Sequence, residues 1–235
     1  PVEDNYQGSV LRSNPPAYYR VDEASGATAY DSSPNLLDGT YNKAGSGTTA
    51  YGQTSLVDSI SNQSVAYTNN STSAATQMIE VPDNNLLDFT QAFALEAWIK
   101  TPSSMPSENR TLIRKGNAYQ LRLASDNKLE LQLNGAAYAK STDALLANTV
   151  YYIAVGRNAD NSKFLYINGA DKLTSMGAGG STLNQNTSPV QIASGADKGW
   201  TGGIDEVALY NHSLTAVQAS THYSYGKTNN PSSMV

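Results

Sequence analysis

GGIDEVALYNHSLTAVQASTHYSY, residues 202–225, reads as a strand, a turn and a closing helix, and the rest of the chain is organised around it. Ile204, Val207 and Leu209 supply the apolar positions of a strand, and Asn211-His212-Ser213 supplies turn formers. Thr215 with Gln218 fits a capping box, in which the hydroxyl accepts from an amide one turn on while the glutamine reaches back. Gly226 stands where a left-handed residue ends a helix. Asp205 and Glu206 are adjacent, so on a regular strand they point to opposite faces. The expectation is that Asp205 turns toward the core or its rim and needs a partner there, while Glu206 points outward.

Upstream, FALEAWIKT (93–101) alternates cleanly, with Phe93, Leu95, Ala97 and Ile99 on one face and Glu96, Trp98 and Lys100 on the other. That places Trp98 against loops or on the outer face of its sheet. Further strands are predicted at 17–21, 65–67, 78–82, 111–114, 119–124, 128–133, 150–157, 163–168 and 190–193. Ser125-Asp126-Asn127 and Asn168-Gly169 read as tight turns between them. Residues 45–73 are rich in Gly, Ser, Thr and Asn and carry one weak strand, and Gly177-Ala178-Gly179-Gly180 reads as a flexible connection. A short helix over 4–13, capped by Asp4, is stopped by Asn14-Pro15-Pro16. Short strands at regular spacing with helices only at the ends predict an all-β fold, a two-sheet antiparallel jelly-roll sandwich with short terminal helices. Its parts are an N-terminal segment (1–16), the sandwich (17–226) and a C-terminal tail (227–235).

Composition narrows the function. Cysteine is absent, which removes disulfides, zinc-thiolate sites and thiol catalysis together. A net charge of −5 leaves no basic stripe to neutralise phosphates, so nucleic acid and anionic membranes are disfavoured as partners. No apolar run approaches the roughly 18 residues that would span a bilayer. Asn-x-Ser/Thr triplets such as Asn70-Ser71-Thr72 read as chance matches in a chain this rich in those residues.

AYYRVDEASGATAYDSSPNLLDGTY (17–41), FALEAWIKT (93–101), KFLYINGA (163–170) and GGIDEVALYNHSLTAVQASTHY (202–223) resemble, in that order, the signature segments of laminin G-like, concanavalin A-like jelly-roll domains. The lead-in YQGSVLRSNPPAYYRVDEASG resembles a version found in phage tail and other virion surface proteins. The resemblance implies a binding module for glycans or proteins, a structural calcium ion, a buried aromatic at Trp200, and an extracellular or virion-surface setting. Family members commonly show Asp-Ser-Ser-Gly-Asn where this chain has Asp31-Ser32-Ser33-Pro34-Asn35, and proline changes the torsions open to that loop.

Two readings of the carboxylates follow. Asp31 and Asp205 share one calcium ion, which takes six to eight oxygen ligands, or Asp31 caps its own turn and Asp205 accepts backbone amides. Glycosidase chemistry is not expected, because no Glu-x-Asp-x-x-Glu run is present and Glu130 has Lys128 and Gln132 as same-face neighbours. His212 and His222 carry no hydrolase motif and read as surface residues. The expected function is therefore non-catalytic glycan binding, in a loop-lined groove with stacking aromatics and amide or carboxylate hydrogen bonds. The alternative is a structural virion protein, a fibre, decoration or tail component that contacts other virion proteins or forms a homo-oligomer.

Overall fold

The computed structural model describes residues 5–42, 47–69, 77–177, 182–195 and 197–228. Helix α1 (Tyr6–Arg12) precedes β1 (Ala17–Tyr19), β2 (Thr28–Ala29), β3 (Gly39–Asn42), β4 (Thr48–Thr54), β5 (Gln63–Thr68) and β6 (Met78–Val81). A 3-10 turn (Asn85–Leu87) leads into β7 (Phe93–Lys100), β8 (Arg110–Lys115), β9 (Tyr119–Leu123), β10 (Leu129–Leu133) and β11 (Ala136–Ser141). There follow β12 (Val150–Arg157), β13 (Lys163–Ile167), β14 (Ala170–Asp171), β15 (Leu173–Ser175) and β16 (Val190–Ile192). The chain closes with β17 (Lys198–Gly199), β18 (Gly202–Tyr210) and α2 (Ala216–Lys227).

Among the described residues these strands make two sheets. The eight-stranded front sheet runs β14-β13-β12-β7-β18-β5-β4, with β1 also on β18, and the ten-stranded back sheet runs β15-β11-β10-β9-β8-β16-β6-β3-β2, with β17 beside β8. Both are antiparallel apart from the short β17–β8 pairing. Phe93, Leu95, Ala97 and Ile99 of β7 and Ile204, Val207 and Leu209 of β18 share one buried cluster with the leucines of β9 and β10 in the back sheet. The alternation of β7 thus sets the inner face as its sequence predicts. This is the two-sheet antiparallel sandwich with two short helices.

The opposite face of the front sheet is also dry. Ala94, Trp98, Tyr152, Ala208 and Tyr210 form a second buried cluster beneath Tyr6 and Val10 of α1 and Ala219 of α2. Trp98 meets Tyr6 edge-on at 6.0 Å and stacks with Tyr223 at 5.9 Å. It does lie on the outer face, but helices rather than solvent cover it. Gly226 belongs to this packing: it sits inside α2, whose C-cap is Thr228, and an added Cβ would meet Trp98 Cζ2 at 2.3 Å. Its role is close approach to an indole ring, so the expected left-handed helix end is not what the position serves. The Thr215–Gln218 capping box forms as expected.

Other differences have local causes. Asn5, not Asp4, caps α1, its side chain accepting from Gly8 N at 2.8 Å; Asp4 lies outside the described residues. Within 45–73, β4 pairs with β5 at the front sheet's edge, where its largely exposed face hides the strand from a pattern search. Asn70-Ser71-Thr72, residues 178–180 and residues 229–235 of the tail lie outside the described residues. Glu206 is the main correction: it is fully buried, not outward. A bulge between Asp205 and Ala208 puts Glu206 at φ +53° and spends one extra residue on the strand. Ile204 and Val207 therefore both keep the inner face, and both acids fall on the outer side.

Candidate functional site

Asp31 organises the loop at one end of the sandwich. Its Oδ1 accepts from the amides of Tyr18 and Ser33, each at 2.8 Å, and its Oδ2 accepts from the Leu37 amide at 2.7 Å and Ser33 Oγ at 2.8 Å. These four donors fill the four lone-pair positions of a carboxylate. The loop they close is tied to the segment before β1, since Asn35 Nδ2 donates to Pro16 O at 2.9 Å. Its tip shows Leu36 to solvent, 72% exposed, at φ +53°. A non-glycine residue in that region costs on the order of 1 kcal/mol, and such strain gathers at ligand contacts.

Asp205 stands elsewhere. Tyr19 bridges Asp31 on one edge of β1 and pairs Val207 on the other, so β1 separates the two carboxylates' backbones. Asp205 Oδ2 accepts from Leu56 N at 2.9 Å, while Oδ1 has no hydrogen-bond partner. Burial first, and the neighbouring Glu206 second, push the Asp205 carboxyl well above the usual range. Glu206 accepts from the Tyr18 hydroxyl and from Asn62 Nδ2 at 2.8 Å, with Arg20 Nε at 3.6 Å. Burial raises it to about 7 against those stabilising partners. The structure does not bring Asp31 and Asp205 onto one set of ligands. Among the described residues no group of three or more acidic, His or Cys side chains is arranged to hold a metal.

The histidines are not surface residues either. His222 is 2% exposed and His212 is half-buried. His222 Nε2 lies 3.0 Å from Ser13 Oγ and its Nδ1 lies 3.1 Å from both oxygens of Glu96, which is fully buried. This has the outline of a serine–histidine–carboxylate relay, but acyl transfer also needs free N–H donors beside the serine. The Ser13 and Asn14 amides already donate to carbonyls of α1. Glu96 in addition accepts from Tyr6 and Tyr210 hydroxyls at 3.2 and 2.6 Å. The network pins α1 and α2 to β7.

Among the described residues, the clefts open to solvent include a shallow one of about 250 Å³ between α1 and α2, lined by Ser13 and His222. Another, about 340 Å³, lies over β4 and β5 beside Lys100. Its polar side chains are largely engaged at home, with Gln53 Nε2 on Tyr51 O, Ser64 Oγ on Thr54 O and Ser55 Oγ on Val57 O. A third has two lobes of about 310 and 190 Å³ that share Leu86 and Asn211. Asn14 and Asn35 line one lobe; Asn85, Asp88, Thr90 and Gln91 line the other. Asn14, Asn85, Gln91 and Asn211 are exposed, and among the described residues their side chains make no internal hydrogen bond.

The cleft's wall is held from beneath. Arg157, itself fully buried, donates to Gln91 O at 2.8 Å and Thr90 O at 2.9 Å. Gln185 Nε2 holds Phe89 O at 3.1 Å, and Lys115 pairs with Asp88 at 3.2 Å. The loop's carbonyls are thus spent inward while its amide side chains face the cleft. Sequence reading missed these four amides: it took Asn14 as part of the helix stop and Asn211 as a turn former, and it gave Asn85 and Gln91 no role. Asn14 does adopt φ +51°, so the turn signal and the site coincide there. Of the expected stacking aromatics, only Phe89 reaches this cleft among the described residues, and at 3% exposure it offers little face; Trp98 is buried at 1%, and Trp200 is buried as the resemblance implies.

Residues 70–220 match the model of a family described as the concanavalin A-like lectin/glucanases superfamily. No curated protein matches the sequence. Among solved structures, the binding domain of Paraclostridial Mosquitocidal Protein 1 superposes with a TM-score of 0.65 at 16% identity, over 92% of this chain and 53% of that one. Domain 4 of AbnA, a GH43 extracellular arabinanase from Geobacillus stearothermophilus in complex with arabinotriose, gives 0.60 at 18% identity, over 89% of this chain and 98% of that one. Trypanosoma rangeli sialidase with the inhibitor DANA gives 0.61 at 14% identity, over 90% of this chain. This chain spans about a third of the sialidase, 33% of its length. At these identities the likeness is one of fold.

Proposed function

This chain belongs to the concanavalin A-like lectin/glucanases superfamily, and on that premise we propose that it is a non-catalytic module that binds an oligosaccharide in the two-lobed amide cleft. One observation carries the reading: four exposed amides converge on a cleft whose backbone is locked from below, and none finds a side-chain hydrogen bond among the described residues. An amide offers both a donor and an acceptor, which is the pairing that vicinal sugar hydroxyls present. Locking the wall removes ordering entropy from the cost of binding. Leu86, which lines both lobes and is 41% exposed, supplies apolar surface for the C–H face of a sugar ring.

The likeness to the arabinanase domain, which is seen with arabinotriose, supports the same ligand class. Hydrolysis has less support. Glycosidic cleavage uses two carboxylates across the bond, and Asp88, the one acid lining the cleft, is paired with Lys115. An exterior setting, on a bacterium or a virion, belongs to this reading as its biological context.

Calorimetric titration with arabinotriose and a panel of other oligosaccharides tests it. Binding is expected in the micromolar to millimolar range, weakened about tenfold or more in Asn85→Ala/Asn211→Ala with an unchanged melting temperature. No binding across the panel, or full affinity in the double variant, would remove the cleft as the site.

A further inference from the structure

Resting on the reading of the cleft as a glycan site, we infer that it selects uncharged oligosaccharides and rejects acidic ones. Among the described residues lining the two lobes, Asp88 is the single acidic side chain, and no lysine or arginine lines either. The nearest cation, Lys115, is 1% exposed and already serves Asp83 and Asp88, with Ser188 O at 2.8 Å. Two carboxylates on one ammonium leave this wall with a residual negative charge. Asp38, whose Oδ1 holds the Asp31 amide at 2.9 Å, adds another on the opposite wall's loop. The chain's net charge of −5 works in the same direction at longer range.

A sialic acid or uronate entering this cleft would lose water from its carboxylate and find neither an ammonium nor a guanidinium. It would also approach Asp88 as a like charge. The amides of the 3-10 turn do not make up the deficit. The 3-10 turn uses Leu86 N on Asn84 Oδ1 at 2.9 Å and Leu87 N on Asn84 O at 2.9 Å, and Asp88 N goes to Asn85 O at 3.2 Å. What the cleft offers is side-chain amides, which bind hydroxyls well and screen a full charge poorly.

The decisive measurement uses matched probes on the full chain: lactose against 3′-sialyllactose, and galactotriose against trigalacturonate, titrated at low salt and again at high salt. The neutral member of at least one pair is expected to bind about tenfold more tightly, with the gap narrowing as salt screens Asp88 and Asp38. Gln91→Lys, checked for an unchanged melting temperature, is expected to raise affinity for the acidic member of that pair. Equal or tighter binding of the acidic member by the unaltered chain would overturn the selectivity while leaving the cleft as a glycan site. No binding of either member in either pair, together with silence toward neutral oligosaccharides at large, would overturn the cleft reading and this inference with it.

Discussion

At the scale of a single residue, Glu206 links the strand's geometry to a measurable property. The bulge that lets Ile204 and Val207 share the inner face carries this carboxyl under the loop that precedes β5, among Tyr18, Arg20, Asp22, Asn62 and Asp205. Burial raises its folded value to about 7, above the ordinary range it has in the unfolded chain. The folded state then binds the proton more tightly, so this stabilisation is complete below the unfolded value and is lost as pH rises through about 7. The melting temperature is expected to fall between pH 5 and pH 8, and Glu206→Gln, which carries a neutral group at every pH, should flatten that fall. Thermal melts of both proteins across the range check it; parallel curves would show that Glu206 is not the titrating group. The sequence flagged this acid pair as needing an explanation, yet strict alternation sent Glu206 outward. Nothing local in Asp205-Glu206-Val207 announces a bulge, because its cause is the demand of the inner core for Val207.

At the scale of elements, what was readable is what period and turn chemistry dictate. β7 shows its two faces in Phe93 to Lys100, and α2 shows its capping box, because both patterns are complete within a few residues. The layer that α1 and α2 form over the front sheet was not readable, since Gly226 looks like a helix terminator until Trp98 is placed beside it. Two effects of opposite sign meet at Gly226→Ala. Helix propensity favours alanine by about 1 kcal/mol, whereas a Cβ 2.3 Å from the indole forces a shift costing about 2 kcal/mol or more. The clash should win, lowering the melting temperature by several degrees; a rise would mean that the helix slides away from Trp98 without loss. The cleft wall gives a second case. Arg157→Met keeps the apolar bulk but frees the carbonyls of Thr90 and Gln91, so oligosaccharide affinity should drop about tenfold. Unchanged affinity would show that a rigid 88–92 loop is not required.

At the scale of the whole molecule, the cleft is an outcome of topology: Asn14, Asn35, the 85–92 segment and Asn211 meet only because β1, β7 and β18 are neighbours in the front sheet. No spacing in the sequence encodes that meeting, which is why the fold was more legible than the site. Asp31, which the sequence offers either as a calcium ligand or as the cap of its own turn, accepts four hydrogen bonds, and these contacts bear on what holds the loop together. Calcium needs several oxygen ligands at once. Binding at Asp31 would have to displace donors from a carboxylate that already receives four, and at Asp205 burial favours the neutral acid over the charged form a cation needs. The four donors reach from β1 and from both ends of the loop, so the protein's own groups tie it together. We therefore expect a chelator to move the melting temperature by less than about 1 °C, whereas Asp31→Ala, which orphans the buried Tyr18 and Ser33 amides and the part-buried Leu37 amide, should lower it by several degrees with or without chelator. Elemental analysis of the purified chain guards against an ion too slow to exchange. A large drop on chelation, reversed by added calcium, would place a cation in the loop and require those amides to rearrange around it.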